Sequence, residues 1–238
     1  MICNSGVRMA PRIEGDVHLF SEHGLYDGLF LMKDEETGTY WDHMTGRAVY
    51  GPLVGTSLTV SSLRQTTVEQ VLETDPDAMV ALSTQAIRTD DQMKVEGLLA
   101  GIRGRLNGMF SSTVKQEDDR RPTMDIGIGV WSDAGARYYP HDVVREEGRA
   151  LVDTFDGKRV LIYLDPKTFV LAAVYVDGDT PQWDDDVLRL SDGSYVASSL
   201  LYDRSDNRVR GDRPLQVFTR WYGFSLTFPQ TEIYGATR

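Results

Sequence analysis

One cysteine, Cys3, is all that the 238 residues contain, which excludes an intramolecular disulfide and any thiolate-rich metal centre built from a single chain. Long apolar runs are missing as well. The longest, 160–164 and 169–176, fall far short of the roughly 20 residues a helix needs to cross a bilayer. Base is scarce: 25 Lys and Arg stand against 36 Asp and Glu, a formal charge of −11. No stretch interleaves base with aromatics as a nucleic-acid groove requires, and the net charge would repel anionic headgroups. Nucleic acid and a membrane span are therefore not expected, whereas a small molecule or a protein partner fits the composition. The first residues carry no basic segment followed by an apolar run, so the chain as written reads as cytoplasmic.

What is present suffices for a self-standing core. With 41% hydrophobic residues, a chain of this length folds without metal or disulfide, so stability calls for no cofactor. Residues 17–20, 28–32, 39–41, 47–50 and 57–61 are short β-rich runs. Glu36-Thr37-Gly38, Thr45-Gly46 and Gly51-Pro52 punctuate them and predict an antiparallel meander. Thr66 or Thr67 offers an N-cap to a short helix whose face carries Val68, Val71 and Leu72, stopped at Asp75-Pro76-Asp77. A strand is expected over 78–82 and a second helix over 90–107. Residues 111–123 are polar and unpatterned, an expected linker between a first unit, 1–110, and a second, 124–238. In the second unit, 126–131, 137–139, 150–155, 159–164 and 169–176 read as strands, with one helical turn over 143–147.

The end of the chain echoes the first helix. Residues 218–229 align without a gap on 65–76, placing Thr219 on Thr66, Trp221 on Val68, Phe224 on Val71 and Pro229 on Pro76. Leu201-Tyr202-Asp203 echoes Leu25-Tyr26-Asp27 in the same order. The pattern predicts a degenerate internal duplication. The expected fold is α+β, predominantly antiparallel β, with two related β-rich sub-domains and a few short helices.

Three segments carry a family resemblance: Gly24-Leu25-Tyr26-Asp27-Gly28-Leu29, Asp34-Glu35-Glu36-Thr37-Gly38-Thr39-Tyr40-Trp41, and Gly46-Arg47-Ala48-Val49-Tyr50-Gly51-Pro52-Leu53-Val54-Gly55. Together with Ala136-Arg137-Tyr138-Tyr139-Pro140, Val152-Asp153 and the stretch 157–165 from Gly157 to Asp165, they resemble the bacterial and archaeal family known as domain of unknown function 3179. That resemblance implies no activity. It does set two contrasts. Relatives usually carry Tyr-Cys-x-x-Cys, whereas here Gly6 stands where the second cysteine of Cys3-Asn4-Ser5-Gly6 would be. Many also place a His-Glu segment shortly after Tyr-Pro, whereas here His141 follows Pro140 directly and the matching stretch is Glu147-Gly148-Arg149. The closeness of Cys3 to Met1 raises the expectation of a longer protein starting upstream, which would be exported.

Candidate chemistry is sparse. Cys3 is a possible thiolate nucleophile if a neighbouring base or cation activates it. Asp42 beside His43 could orient an imidazole for proton transfer, though neighbours on a strand face opposite sides. Asp165 would be a second carboxylate in such a site. His18 and His23 flank a strand end, where pairing at a metal is conceivable, but no His, Cys or acidic spacing matches a zinc, calcium or phosphate-loop motif. Neither a metal nor a cofactor is assigned. For a binding site, Tyr26, Trp41, Trp221 and His141 are the expected contacts, although Trp41 and the aromatic set around Trp221 read more readily as core. The favoured function is a non-catalytic ligand-binding or interaction protein. The alternative is a metal- or thiol-assisted, hydrolase-like enzyme using Cys3, His43, Asp42 and Asp165 between the two units.

Overall fold

The computed structural model describes residues 6–82, 113–114, 117–210 and 213–236. Short strands β1 (Arg8–Met9), β2 (Arg12–Ile13) and β3 (Asp16–Val17) lead into β4 (Phe20–Tyr26), β5 (Leu29–Asp34), β6 (Tyr40–Asp42) and β7 (Ala48–Tyr50). The last four form the antiparallel meander that the turn residues predict, and β8 (Val60–Ser61) returns to pair with β1. Helix α1 (Val68–Thr74) follows. Then come the hairpin β9 (Ile126–Ser132) and β10 (Gly135–Pro140), helix α2 (His141–Glu146), and the three-stranded meander β11 (Ala150–Phe155), β12 (Lys158–Leu164) and β13 (Leu171–Tyr175). A second four-stranded meander comprises β14 (Gln182–Asp184), β15 (Val187–Arg189), β16 (Tyr195–Ala197) and β17 (Leu200–Tyr202). Finally β18 (Leu215–Arg220), helix α3 (Trp221–Thr227) and β19 (Glu232–Ile233) complete a central sheet of order β18-β9-β10-β19, in which β19 lies parallel to β10. The fold is β-rich, with antiparallel sheets and short helices.

One local device recurs at three hairpins. In Asp34-Glu35-Glu36-Thr37-Gly38-Thr39 the aspartate's backbone N–H donates to the carbonyl of Thr39 (3.0 Å), and its carbonyl accepts from Gly38 N–H (2.9 Å). Its Oδ1 accepts from Thr37 N–H (2.8 Å). Asp42 repeats this over 42–47 and Asp165 over 165–170. The fifth position needs positive φ, which glycine supplies without strain at Gly38 (73°) and Gly46 (69°). In the third turn Phe169 takes that place at φ 56° and is 70% exposed.

Stacked layers explain the apolar runs. Along β12, Val160, Ile162 and Leu164 face the central sheet's Ile128 and Val130. Leu161 and Tyr163 point the other way, onto Leu188, Val196 and Leu201 of the outer meander. A strand covered on both faces is apolar at every position, which is why 160–164 reads as a continuous run. The opposite face of the central sheet receives α3, whose Trp221 and Phe224 are fully buried against Tyr138, Val217 and Met44. That approach needs glycine: a Cβ on Gly129 would lie 2.0 Å from the Phe224 ring. Through Met44 and Leu29 the first meander joins this core. Ser62 ties the same region to β18, donating to Pro214 O (2.8 Å) and accepting from Gln216 N–H (3.1 Å).

Several expectations need correction. Residues 78–82 form no strand; Met79, Val80 and Leu82 are exposed and pair with no strand among the described residues. Helix α1 starts at the expected Thr67 cap, with a full capping box to Gln70. Its expected inner face is nevertheless solvent-facing at Val68 and Leu72, and Gln70 is its buried residue. Strand β18 precedes α3, whose N-cap is Arg220, the residue aligned with Thr67. With that, α1 and α3 occupy corresponding positions of the ungapped 65–76 and 218–229 alignment. The helix expected over 90–107 lies outside the described residues. Of the stretch expected as a linker, 117–123 is pinned: Trp221 Nε1 donates to Asp118 O (2.8 Å), and the Arg120 guanidinium lies 5.3 Å from the Trp221 ring centre while donating to Thr231 O (2.8 Å).

Two substitutions test this packing in urea unfolding. Gly129→Ala should destabilise by roughly 1–3 kcal/mol or more, because Phe224 and its helix must move. Phe169→Gly should stabilise by about 0.5–1 kcal/mol, since it relieves a left-handed residue at an exposed turn. No change for the first, or a loss for the second, would contradict the packing and turn geometry described.

Candidate functional site

Asp165 closes the β12–β13 turn and is 3% exposed. Its Oδ1 accepts from the backbone N–H of Lys167 (3.0 Å) and Thr168 (2.9 Å), the ordinary work of this turn. Two further donors come from distant segments. Gln70 Nε2, on α1, reaches both oxygens (3.3 and 3.1 Å), and the Ser199 hydroxyl donates to Oδ2. Burial alone would raise the Asp165 pKa, but the bonds from Ser199, Thr168, Gln70 and Lys167 outweigh it and hold the carboxyl below the ordinary range. With both oxygens occupied, this group positions its neighbours and is poorly suited to take a proton.

Ser199 is held in a costly conformation. Ser198 and Ser199 form the β16–β17 turn with φ of 45° and 61°, a pair of left-handed residues where Asn-Gly is the unstrained choice. Both hydroxyls point to the same neighbourhood: Ser199 bonds Asp165, and Ser198 bonds Glu73 of α1 (2.9 Å).

Two cavities meet at this hub. The larger, about 120 Å³, has buried walls at Gln70, Tyr163, Asp165, Val196 and Ser199, and a rim at Lys167 and Asp186. The smaller, about 20 Å³, shares Asp165 and Ser199 and is bounded by Arg64, Arg213 and Gln216. Buried side-chain polar atoms without a hydrogen-bond partner number three among the described residues: Tyr163 Oη, Trp183 Nε1 and Arg64 Nη1. Tyr163 and Trp183 line the larger cavity and Arg64 the smaller. Tyr163 is 1% exposed; its hydroxyl lies near Arg213 and Ser199 without reaching hydrogen-bond geometry. Burial pushes its pKa up. The Arg64 guanidinium is pulled down, first by burial and then by the nearby Arg208 and Arg213. Arg213 itself donates to Ser199 O (2.6 Å).

The residues expected from sequence to form a site are dispersed. Cys3 lies outside the described residues. Asp42 spends Oδ1 on the N–H groups of Met44 and Thr45 (both 2.7 Å). His43 bonds Phe30 O through Nδ1 (2.9 Å). Tyr26 and Asp42 share a surface groove of about 720 Å³ with Leu29, Tyr40 and Tyr50, on a different sheet from Asp165. Trp41 is fully buried, its Nε1 donating to Asp34 Oδ2 (3.1 Å), and Trp221 is fully buried beneath 118–120. His141 opens α2, its pKa lowered by burial first and Arg145 second. Among the described candidates Asp165 alone lies at the hub. Gln70, Tyr163, Trp183, Ser199, Arg64 and Arg213 escaped sequence reading. One signal was available: Tyr163 puts a hydroxyl inside the otherwise apolar run 160–164.

His18 and His23 do not pair. His18 Nδ1 approaches Asp34 Oδ1 (3.2 Å) and Glu36 Oε2 (3.7 Å), while His23 Nε2 meets Tyr40 Oη (3.0 Å). His18, Asp34 and Glu36 hold their ligand atoms within 4.8 Å of one another and could surround a cation. Their lone pairs are already engaged, however. Asp34 accepts from Thr37 N–H, the Thr37 hydroxyl and Trp41, and Glu36 accepts from Leu19 N–H. Those bonds outweigh burial and lower the Asp34 pKa to about 2. The cluster reads as a pinned turn.

Residues 1–209 match the family described as protein of unknown function, DUF3179. The chain belongs to the DUF3179 family. No curated protein and no solved structure matches it. The matched DUF3179 region contains Arg64, Gln70, Tyr163, Asp165, Trp183 and Ser199, while Arg213, β18 and α3 follow it. No helix among the described residues of this DUF3179 protein is long and apolar enough to cross a membrane.

Acid titration tests the hub. Asp165 and Asp34 both have folded pKa values below the ordinary carboxylate value, so their contribution is present above about pH 4 and is lost as pH falls through the folded values, for Asp34 from 3.8 toward about 2. Asp165→Ala should cost about 2–4 kcal/mol at neutral pH, because Gln70, Ser199 and two N–H groups lose their acceptor. It should also flatten the acid limb of a stability–pH profile. An unchanged melting temperature would show that the three segments are held by something else.

Proposed function

We propose that this protein is a non-catalytic binder of a small polar molecule, seated in the cavity beside Asp165. One observation carries the reading: the three buried polar atoms without partners all border two cavities that share Asp165 and Ser199. Buried donors without partners are rare and cost about 1–3 kcal/mol each, so their convergence on one place argues for a role that a ligand completes. The strained Ser198-Ser199 turn supports it, since such strain collects at sites where geometry is held ready. At about 120 Å³ the space is below the roughly 300–1,000 Å³ typical of drug-sized pockets, so the ligand has only a few non-hydrogen atoms. The hydrolase-like alternative draws less support. Asp165 has no free lone pair to act as base, and Asp42 and His43 are engaged in turn and strand contacts.

Ligand-observed NMR on the full chain, with neutral and charged fragments of a few non-hydrogen atoms, tests the proposal. Fragments should bind the native chain and lose contact with Ala197→Met, which fills the cavity from a half-buried strand position. Binding that ignores residue 197, or no binding at all, would sink it.

A further inference from the structure

We infer that the ligand of the larger cavity is uncharged and is recognised through an acceptor oxygen, the carbonyl of a small amide or the hydroxyl of a small alcohol, which takes hydrogen bonds from the Trp183 indole N–H and the Tyr163 hydroxyl. This rests on the binding role proposed above and adds the chemical class. The unanswered groups on this cavity's own wall set the first requirement. Trp183 Nε1 can only donate, the Tyr163 hydroxyl donates or accepts, and neither has a partner. A ligand that satisfies both must therefore bring an acceptor.

Charge decides what kind of acceptor. Two carboxylates border this cavity, Asp165 in its buried wall and Asp186 at its exposed rim. Among its described lining residues Lys167 is the one cation, and Glu69 (3.4 Å) and Glu73 (3.8 Å) already answer it. An anion would leave water for a site whose surplus is negative, a loss that hydrogen bonds from two neutral groups do not offset. A cation fails for a different reason. It brings donors only, so the Trp183 N–H stays unanswered, and the buried carboxylate it would seek has both oxygens engaged by Gln70, Ser199, Lys167 and Thr168. A neutral amide or alcohol meets both conditions, and its carbon end suits the apolar part of the wall at Val187, Val196 and Ala197.

Protein-observed NMR titration of the full chain with acetamide, 2-propanol, acetate and acetamidinium tests this at fixed ionic strength. The four probes share a size and branched shape and differ in charge, and the Trp183 indole N–H reports directly on the contact. The expected result is a saturable downfield shift of that signal with acetamide or 2-propanol, at affinities about tenfold or more above those of acetate and acetamidinium. The stronger of the two neutral probes identifies the group. Trp183→Phe, which assigns the indole signal by its loss and keeps a ring in place, should weaken the neutral probes severalfold, read at the Ser199 amide. Tyr163→Phe should do the same and serves should the first variant fail to fold in a circular-dichroism melt. Asp186→Asn, at an exposed rim position, should narrow the gap between acetamide and acetate severalfold; an unchanged gap would overturn the charge argument. Acetate or acetamidinium binding as tightly as acetamide would overturn the neutral class and leave the binding cavity standing. Silence from all four probes would overturn the class and, where no Ala197→Met-sensitive fragment is found either, the binding role with it.

Discussion

The carboxylate of Asp165 is the constraint on which the site depends. It accepts from its own turn, from Gln70 on a helix 95 positions earlier and from Ser199 on a hairpin 34 positions later. Each segment alone has little to fix it. Helix α1 is seven residues long with an exposed apolar side, too short to be stable in isolation. The β16–β17 turn carries two residues in a disfavoured conformation. A buried ionised acceptor with hydrogen bonds from three directions supplies the missing specificity, since each donor can be satisfied in only one arrangement. The cavity exists because these segments meet at a polar point and pack no side chain across it.

The layers around that point serve the same end. Strand β12 is covered by the central sheet on one face and by the outer meander on the other, so the position of Tyr163 is fixed by packing and not by its hydroxyl. The hydroxyl is thereby delivered to the cavity wall without a partner. Trp183 is similar: the Arg149 guanidinium stacks on its ring at 4.9 Å, which fixes the indole of a residue that lines the cavity. Polar tips held in place by apolar bodies are preorganised, and preorganisation lowers the entropy lost on binding.

Much of this was readable where the interactions are local. Asp34-x-x-Thr-Gly and Asp42-x-x-Thr-Gly announce turns because the donors, acceptors and positive-φ residue are all within six positions. The Thr67 cap and the two-sided strand 160–164 follow from equally short patterns. Strands β14 to β17 were not legible, because three-residue strands separated by acidic turns such as Asp184-Asp185-Asp186 give no sustained alternation. The site was legible only as a carboxylate. That Asp165 meets Gln70 and Ser199, or that Arg64, Tyr163 and Trp183 are left without partners, is settled by tertiary packing, to which spacing along the chain is blind. Trp41 and Trp221 illustrate the converse. Large aromatics drew attention as binding groups, yet each spends its N–H inside the core.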